Sequence, residues 1–337
     1  MRLDSEVGME AFVRGVDASF LKGRRVLITG GAGFIGSWLA EALATLGAEV
    51  TVLDNLSTGS LKNIEHLLHL PNFRFMMGDV SNFKVEERYD FLVHAASLPA
   101  PDLYVEKPVE TMLSNSLGTL NILEASRRHN GVVLYTSTSE VYGDAEVIPT
   151  PESYCGRVNP VGIRSPYEES KRFGEALCMA FFRHYGVDVR IARLFNTYGP
   201  RLDPNARYAR VISRFITQAL SGKPITVHGD GRQTRSFLYV SDAVEALVRM
   251  MVKEGLKGEV VNVGNPNEVT ILELAQLVKE LTDSKSEVEF QPPRPDDPRR
   301  RCPDISKAKS LLGWEPKTTL EEGLKHTIKW FKQVLNL

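Results

Sequence analysis

Tyr167 and Lys171 stand four positions apart in the segment SPYEESKRFGEAL. On a helix that spacing places both side chains on one face. An ammonium beside a phenol favours the phenolate and lowers the tyrosine pKa. Such a tyrosine can act as a base on an alcohol while a hydride leaves the same carbon. YxxxK recurs by chance, so the pair carries weight only beside a hydride acceptor and a hydroxyl-rich strand end. The stretch YTSTSEVYG supplies the second: an apolar run ends in Thr138, Ser139 and Glu140.

The hydride acceptor is implied by TGGAGFIGS, which follows the apolar run RRVLIT and opens a helix-like segment. Gly30, Gly33 and Gly36 have GxxGxxG spacing. The first permits a tight turn, the second lets backbone approach a pyrophosphate, and the third allows close helix packing. Helix N–H groups then face the phosphates. Asp54 ends the next apolar run, 24 positions after Gly30. An acid there accepts from ribose hydroxyls and repels a 2′-phosphate, which favours NAD over NADP. Asp79, at the end of the third run, is within reach of the adenine.

The elements that must position these groups alternate. RRVLIT (24–29), AEVTVLD (48–54), FRFMMGD (73–79), YDFLVHAA (89–96), VVLYTST (132–138) and VDVRIARL (187–194) read as strands. Near-continuous Val, Ile and Leu suits a sheet covered on both faces. Helical segments such as IGSWLAEALATLG and LGTLNILEASRRHN lie between them. The expected fold is α/β, a Rossmann-type doubly wound parallel sheet with a smaller C-terminal α/β domain. Residues 1–22 read as an extension with a short amphipathic helix. The cofactor domain spans 23–197, with 236–265 returning to it, and 198–235 with 266–337 form the second domain. Ligands should bind between the two, outside the carboxyl ends of the strands.

Composition excludes other classes. A net charge of -1 provides no global field for nucleic acid or an anionic membrane. No apolar run approaches the ~20 residues of a membrane span. The first residues carry acids and do not read as a signal peptide. Cys155, Cys178 and Cys302 show neither metal spacing nor a disulfide framework, which fits a cytoplasmic protein. No metal site is expected, and His66 and His69 are assigned to a solvated helix face.

Together these motifs resemble the extended short-chain dehydrogenase/reductase family, which acts on nucleotide sugars with NAD, over about Gly23 to the C-terminus. The family triad of Ser/Thr, Tyr and Lys falls on Thr138, Tyr167 and Lys171. The resemblance extends the cofactor site to Phe34, Ile35, Asn55, Thr58, Gly59, Val80, Ala95, Ala96, Ser97 and Asn115. The blocks STSEVYGD, NPVGIRSPYEESKR, RLFNTYGPR, GDGRQTRSFLYVSD and RPDDPRRRCPDISKAKSLLGWEP are similar to the branch that decarboxylates UDP-glucuronate. Departures are Pro166 where that branch usually has Cys, Cys155 where it usually has Trp, and a loop two residues longer between Arg201 and Arg210.

The resemblance implies catalytic roles for Glu140 and Arg235, with Ser139 where dehydratases carry Asp. Glu140 would position water or the sugar and take part in protonation. Arg235 would orient the carboxylate or stabilise the enolate. Asn196, Arg210, Gln233 and Arg294 are the candidates for the diphosphate, with Tyr104 also on the substrate. Arg299, Arg300 and Arg301 read instead as surface or interface charges. The implied reaction oxidises C4 so that the carboxylate is beta to a ketone; loss of CO₂ then leaves a delocalised enolate. The rivals are a UDP-sugar 4-epimerase, which needs no acid at Glu140, a 4,6-dehydratase, and a non-catalytic NAD-sensing scaffold. Family members usually dimerise through a four-helix bundle, which helices near 103–128 and 167–185 would supply as a homodimer.

Overall fold

The structure is a computed structural model that describes residues 18–204, 210–294 and 297–337. The first half alternates strand and helix: β1 (Arg25–Thr29), α1 (Phe34–Thr45), β2 (Glu49–Asp54), β3 (Phe73–Met77), β4 (Phe91–His94), α2 (Pro101–Glu106), α3 (Pro108–His129), β5 (Val132–Thr138), α4 (Ser165–Tyr185) and β6 (Val189–Leu194). The second half breaks into shorter pieces: β7 (Thr197–Tyr198), α5 (Val211–Leu220), β8 (Ile225–His228), β9 (Thr234–Ser236), β10 (Leu238–Tyr239), α6 (Val240–Val252), β11 (Val260–Val263), β12 (Glu268–Thr270), α7 (Ile271–Thr282), β13 (Val288–Gln291), α8 (Ser306–Leu312) and α9 (Leu320–Leu335).

Seven strands form one parallel sheet in the order β11-β6-β5-β4-β1-β2-β3. Helices cover both faces, so the central strands bury mainly apolar side chains, with polar residues such as Thr29, His94 and Thr138 gathered at their carboxyl ends. The order reverses between β1 and β4, where Thr29 pairs with His94. The loops after these two strands diverge and leave a crevice there. The fold is the expected Rossmann-type doubly wound sheet. The six expected strands of the first half form close to the expected bounds, and β11 returns the chain to the sheet edge.

α3 lies within about the expected 103–128: it starts at Pro108, where a missing N–H costs nothing in the first turn. It stops at Asn130, left-handed with φ 57°. The remaining pieces pair locally, β8 with β13 and β9 with β12, and pack under α5, α7 and α9. Thr270 and Thr319 open α7 and α9 with full capping boxes. Trp38 Nε1 on α1 donates to the Pro200 carbonyl at 3.0 Å, which ties the cofactor helix to the strand that leads into the second half.

Two expectations change here. His66 is not on a solvated helix face: its side chain is 12% exposed and Nε2 lies 3.0 Å from Glu41 on α1. The turn that carries it folds back over α1, a tertiary contact that local charge pattern does not report. His69 is exposed as expected. The helix expected in 1–22 falls mostly outside the described residues, which begin with a 3-10 turn at Ala18–Phe20.

A tight constraint on the cofactor cradle is at Gly36 in the first turn of α1. A Cβ there would collide with the Gly30 carbonyl oxygen and the Gly31 backbone. Gly36→Ala is expected to cost about 2 kcal/mol or more. Differential scanning fluorimetry should show a lowered melting temperature and loss of the upward shift on adding NAD.

Candidate active site

The cofactor crevice is built from bare backbone. Gly30 has φ +72°, and a Cβ on it would sit 2.6 Å from the Ala96 backbone, so the β1 and β4 loops approach as only glycine permits. Gly33 caps α1 without a side-chain bond, which leaves the first-turn N–H groups facing the crevice. Asp54 accepts from the Ala32 amide at 3.0 Å and the Leu56 amide at 2.8 Å. Burial raises its pKa against those two bonds. A Cβ on Gly59 would lie 2.9 Å from both Asp54 oxygens, so that approach too must stay bare.

Asp79 accepts from Asn55 Nδ2 at 2.8 Å and from Ser81, bonds that hold it ionised against its partial burial. Phe34, Ile35, Thr58, Val80, Ala95, Ala96 and Ser97 complete the wall of a cavity of about 1090 Å³. Ser97 Oγ is buried there with no hydrogen-bond partner among the described residues. The glycine cradle, the ribose-facing acid and this free hydroxyl fit a dinucleotide. Asn115 is not part of the cavity wall. It is fully buried, and its Nδ2 donates to Ser170 Oγ at 3.0 Å, because its face of α3 packs on α4.

Thr138 ends β5 at the crevice, and its hydroxyl accepts from the Glu140 amide at 3.2 Å. Tyr167 and Lys171 follow on the buried face of α4. Lys171 Nζ donates to the Thr136 carbonyl at 2.8 Å, and burial pulls its pKa down to about 7. Burial pushes the Tyr167 phenol up to about 12, against a Thr138 hydrogen bond and the positive field of Arg210. This corrects the expectation that Lys171 lowers the tyrosine pKa. Desolvation of a phenol at 5% exposure outweighs a lysine whose ammonium is turned toward a backbone carbonyl. Tyr104 stacks on Tyr167, rings 5.3 Å apart and 4° from parallel, with its own hydroxyl buried and unpartnered among the described residues.

Glu140 differs most from expectation. Arg164 bonds one carboxylate oxygen, and Arg301 Nη1 lies 2.8 Å from the other. Arg301 also donates to Ser139 Oγ and the Gly143 carbonyl, both at 3.2 Å. Burial alone would raise the Glu140 pKa, but Arg301, Arg164 and Arg235 hold it down to about 2. Its arginine partners thus favour the ionised carboxylate. Arg301, expected at the surface, has a side chain only 4% exposed. Its neighbours Arg299 and Arg300 are exposed as read. A run of three arginines gives no local sign of which one turns inward.

Arg235 is the remote member of this group: Nη2 lies 2.9 Å from Asp297 and Nη1 donates to the Thr234 carbonyl. Arg164 also binds Glu168 at 2.9 Å. Arg164 and Arg301 were missed by sequence reasoning, although both lie in blocks already matched to the decarboxylating branch. Their signal was an arginine three residues before Tyr167 and one before Cys302.

A second cavity, of about 270 Å³, opens from Thr138, Glu140 and Tyr167 toward the C-terminal pieces. Asn196, Arg210, Gln233, Arg235 and Arg294 line it as expected, as do Tyr104 and Ser139. Gln233 Nε2 donates to the His228 carbonyl at 2.6 Å, and Arg294 lies 3.6 Å from Asp102. Arg210 faces Tyr167 and Glu140, whose negative charge acts on it. The longer loop noted before Arg210 lies at 205–209, outside the described residues.

A parallel sheet reversing at β1 and β4, a glycine cradle over an acid, and a Thr–Tyr–Lys set define a nicotinamide-dependent short-chain dehydrogenase/reductase. The chain belongs to the NAD dependent epimerase/dehydratase family, whose profile matches residues 26–264. It is 50% identical over 315 residues to UDP-glucuronic acid decarboxylase 1 of Danio rerio, covering 93% of this chain and 73% of that protein. It is 48% identical over 314 residues to UDP-glucuronic acid decarboxylase 3 of Arabidopsis thaliana, covering 93% and 90%. Among solved structures, the UDP-glucose 4-epimerase of Thermotoga maritima in complex with UDP-glucose superposes with a TM-score of 0.85 at 34% identity, covering 92% and 99%.

The ionised carboxylate has a titratable consequence. The Glu140 pKa falls from an ordinary 4.5 to about 2 on folding, so its contribution to stability is complete above 4.5 and is lost as pH falls toward 2. Glu140→Gln should be less stable than the parent at neutral pH, and the two should converge across that window. Urea midpoints measured from pH 7 to 2 check this; a gap that stays constant would show that Glu140 is not held as an anion.

Proposed function

We propose that the chain decarboxylates UDP-glucuronate to UDP-xylose through a 4-keto intermediate, with NAD regenerated in the site. The observation that carries this reading is the buried Arg164–Glu140–Arg301 cluster beside Tyr167, in a chain 48 to 50% identical to decarboxylases. A 4-epimerase needs only the Thr–Tyr–Lys chemistry and gives no reason to bury two guanidinium groups and a carboxylate at the reacting end. The described epimerase neighbour is also more distant, at 34% identity. Ser139 at the dehydratase acid position disfavours a 4,6-dehydratase.

Gly30, Gly33, Gly36 and Asp54 would hold the cofactor across the sheet switch. NAD supplies a reversible acceptor for the C4 hydride, and its positive nicotinamide ring adds to the field that favours the phenolate. Tyr167 takes the proton of the C4 hydroxyl, and Thr138 donates to that oxygen. The low-pKa Lys171 supports the proton exchange from below. With C4 oxidised, the carboxylate is beta to a ketone, and CO₂ leaves to give an enolate.

Arg235, whose charge acts on Glu140, orients the carboxylate or stabilises that enolate, and Arg210, which acts on Tyr167, adds positive charge at the same end of the cavity. Glu140, kept ionised, orients a water whose proton goes to C5, with solvent making up the net proton. Arg301 and Arg164 fix Glu140, and Arg164 also lines the cavity that receives the sugar. Tyr167 then returns its proton to O4 as C4 is reduced.

Residues 23–197 with 236–265 are the cofactor domain in this reading, and 198–235 with 266–337 bind the nucleotide sugar. A homodimer through α3 and α4 is supported by exposed Val109, Met112, Leu117 and Phe173. Free Cys155, Cys178 and Cys302 fit the reducing cytoplasm.

Purified protein incubated with uniformly ¹³C-labelled UDP-glucuronate should release ¹³CO₂ and UDP-xylose, followed by mass spectrometry. UDP-galacturonate with an unchanged carbon count would overturn the reading. Tyr167→Phe should lower kcat by about 10³-fold, within the range for a general base. A Tyr167→Phe enzyme with full activity would exclude this mechanism.

A further inference from the structure

Among the described residues, the second cavity is lined by a cation, Arg214, that the catalytic reading above does not use. Arg214, one turn after Arg210, lines the cavity with Arg294, His228 and Gln233. Its Nε is buried and has no hydrogen-bond partner among the described residues. Its charge is poorly compensated. Two carboxylates whose charge acts on it, Asp102 and Asp297, are engaged by Arg294 and Arg235. Burial and the neighbouring Arg294 both oppose its charge and lower its pKa to about 10. A desolvated guanidinium beside a second one is unfavourable unless the site is completed by an anion.

The position of Arg214 selects which anion. Arg210 feels Tyr167 and Glu140, at the reacting end. Arg214 instead feels Arg294, Asp102 and Asp297, and it acts on His228. It therefore belongs to the far end of the cavity, away from the carboxylate-handling cluster. A ligand there must carry more than one negative charge and present several acceptor oxygens to forked donors, which describes a diphosphate.

We propose that Arg214 is a substrate-binding residue that, paired with Arg294, grips the diphosphate of the nucleotide sugar and draws Arg294 from Asp102 as it does so. The inference rests on the nucleotide-sugar reading above and adds a specificity residue to it. It makes affinity depend on the diphosphate at a point distant from the chemistry.

The test uses the full chain with NAD and the variants Arg214→Met, which keeps the aliphatic bulk, and Arg214→Lys. UDP affinity is measured by isothermal titration, and uridine binding by saturation-transfer NMR at millimolar concentration. Arg214→Met should weaken UDP by about 10- to 100-fold, the range for a lost charge-assisted hydrogen bond, with uridine unchanged. KM for UDP-glucuronate should rise by a similar factor with kcat unchanged, as for binding shared by ground and transition states.

Arg214→Lys should recover part of the UDP affinity. Unchanged UDP affinity in Arg214→Met, or equal losses for UDP and uridine, would overturn the proposal; the second result would make Arg214 a merely structural residue. If UDP affinity follows Arg214 while the parent releases no CO₂, the diphosphate grip stands and the decarboxylase reading falls.

Discussion

A largely buried carboxylate, its side chain 19% exposed, lies between two buried arginines and organises the reacting end of this protein. Glu140 sits directly after the strand that carries Thr138, so its side chain enters the crevice whether or not the surroundings welcome a charge. Removing such a group from water costs several kcal/mol, and only close, multiply bonded partners offset that. Arg164 comes from the turn that leads into α4, and Arg301 from the chain segment after the last proline-rich loop. The cluster therefore joins three distant parts of the chain: the end of β5, the start of the Tyr167 helix and the C-terminal third. It also pins Ser139 and the Gly143 carbonyl through Arg301. The cavity is shaped between these parts.

Burial sets the protonation states around this cluster in opposing directions. It lowers Lys171 to about 7 and raises Tyr167 to about 12, while Glu140 is carried to about 2 by its arginines. One low-dielectric site thus holds a lysine able to exchange protons near neutrality, a phenol that needs added positive charge to ionise, and a carboxylate that stays ionised. Arg210 supplies positive charge that acts on the phenol, and a bound nicotinamide would add to it. Groups whose pKa values are pushed apart by their environments are how a single site separates acid, base and electrostatic roles.

Most of the scaffold was legible along the chain. Strand cores such as VVLY in β5 and VLIT in β1 are rich in buried apolar residues because helices cover both faces of the sheet, and that pattern is local. The glycine spacing at Gly30, Gly33 and Gly36 and the acid at Asp54 were legible for a similar reason: each answers to a nearby backbone demand. Lys171 was readable as Tyr167's neighbour on a helix face, but not its effect, since desolvation depends on everything packed around the pair. Asn115 was assigned to the cofactor because its segment matches a family pattern, yet its side chain turns to Ser170 on the neighbouring helix.

By itself the sequence determined the order of strands and helices, the dinucleotide cradle, the preference for NAD, and the Thr138–Tyr167–Lys171 set. All of these depend on contacts within a strand–turn–helix unit, where spacing controls geometry. Only the tertiary structure decided which charges face each other. Arg301 and Arg299 are two residues apart, and one is buried against Glu140 while the other is in solvent. His66 was drawn from the surface to Glu41, and Arg214 was placed beside Arg294 rather than beside Tyr167. Electrostatic partners separated by more than a hundred residues are set by how the C-terminal pieces dock over the sheet, and no local pattern of residues encodes that docking.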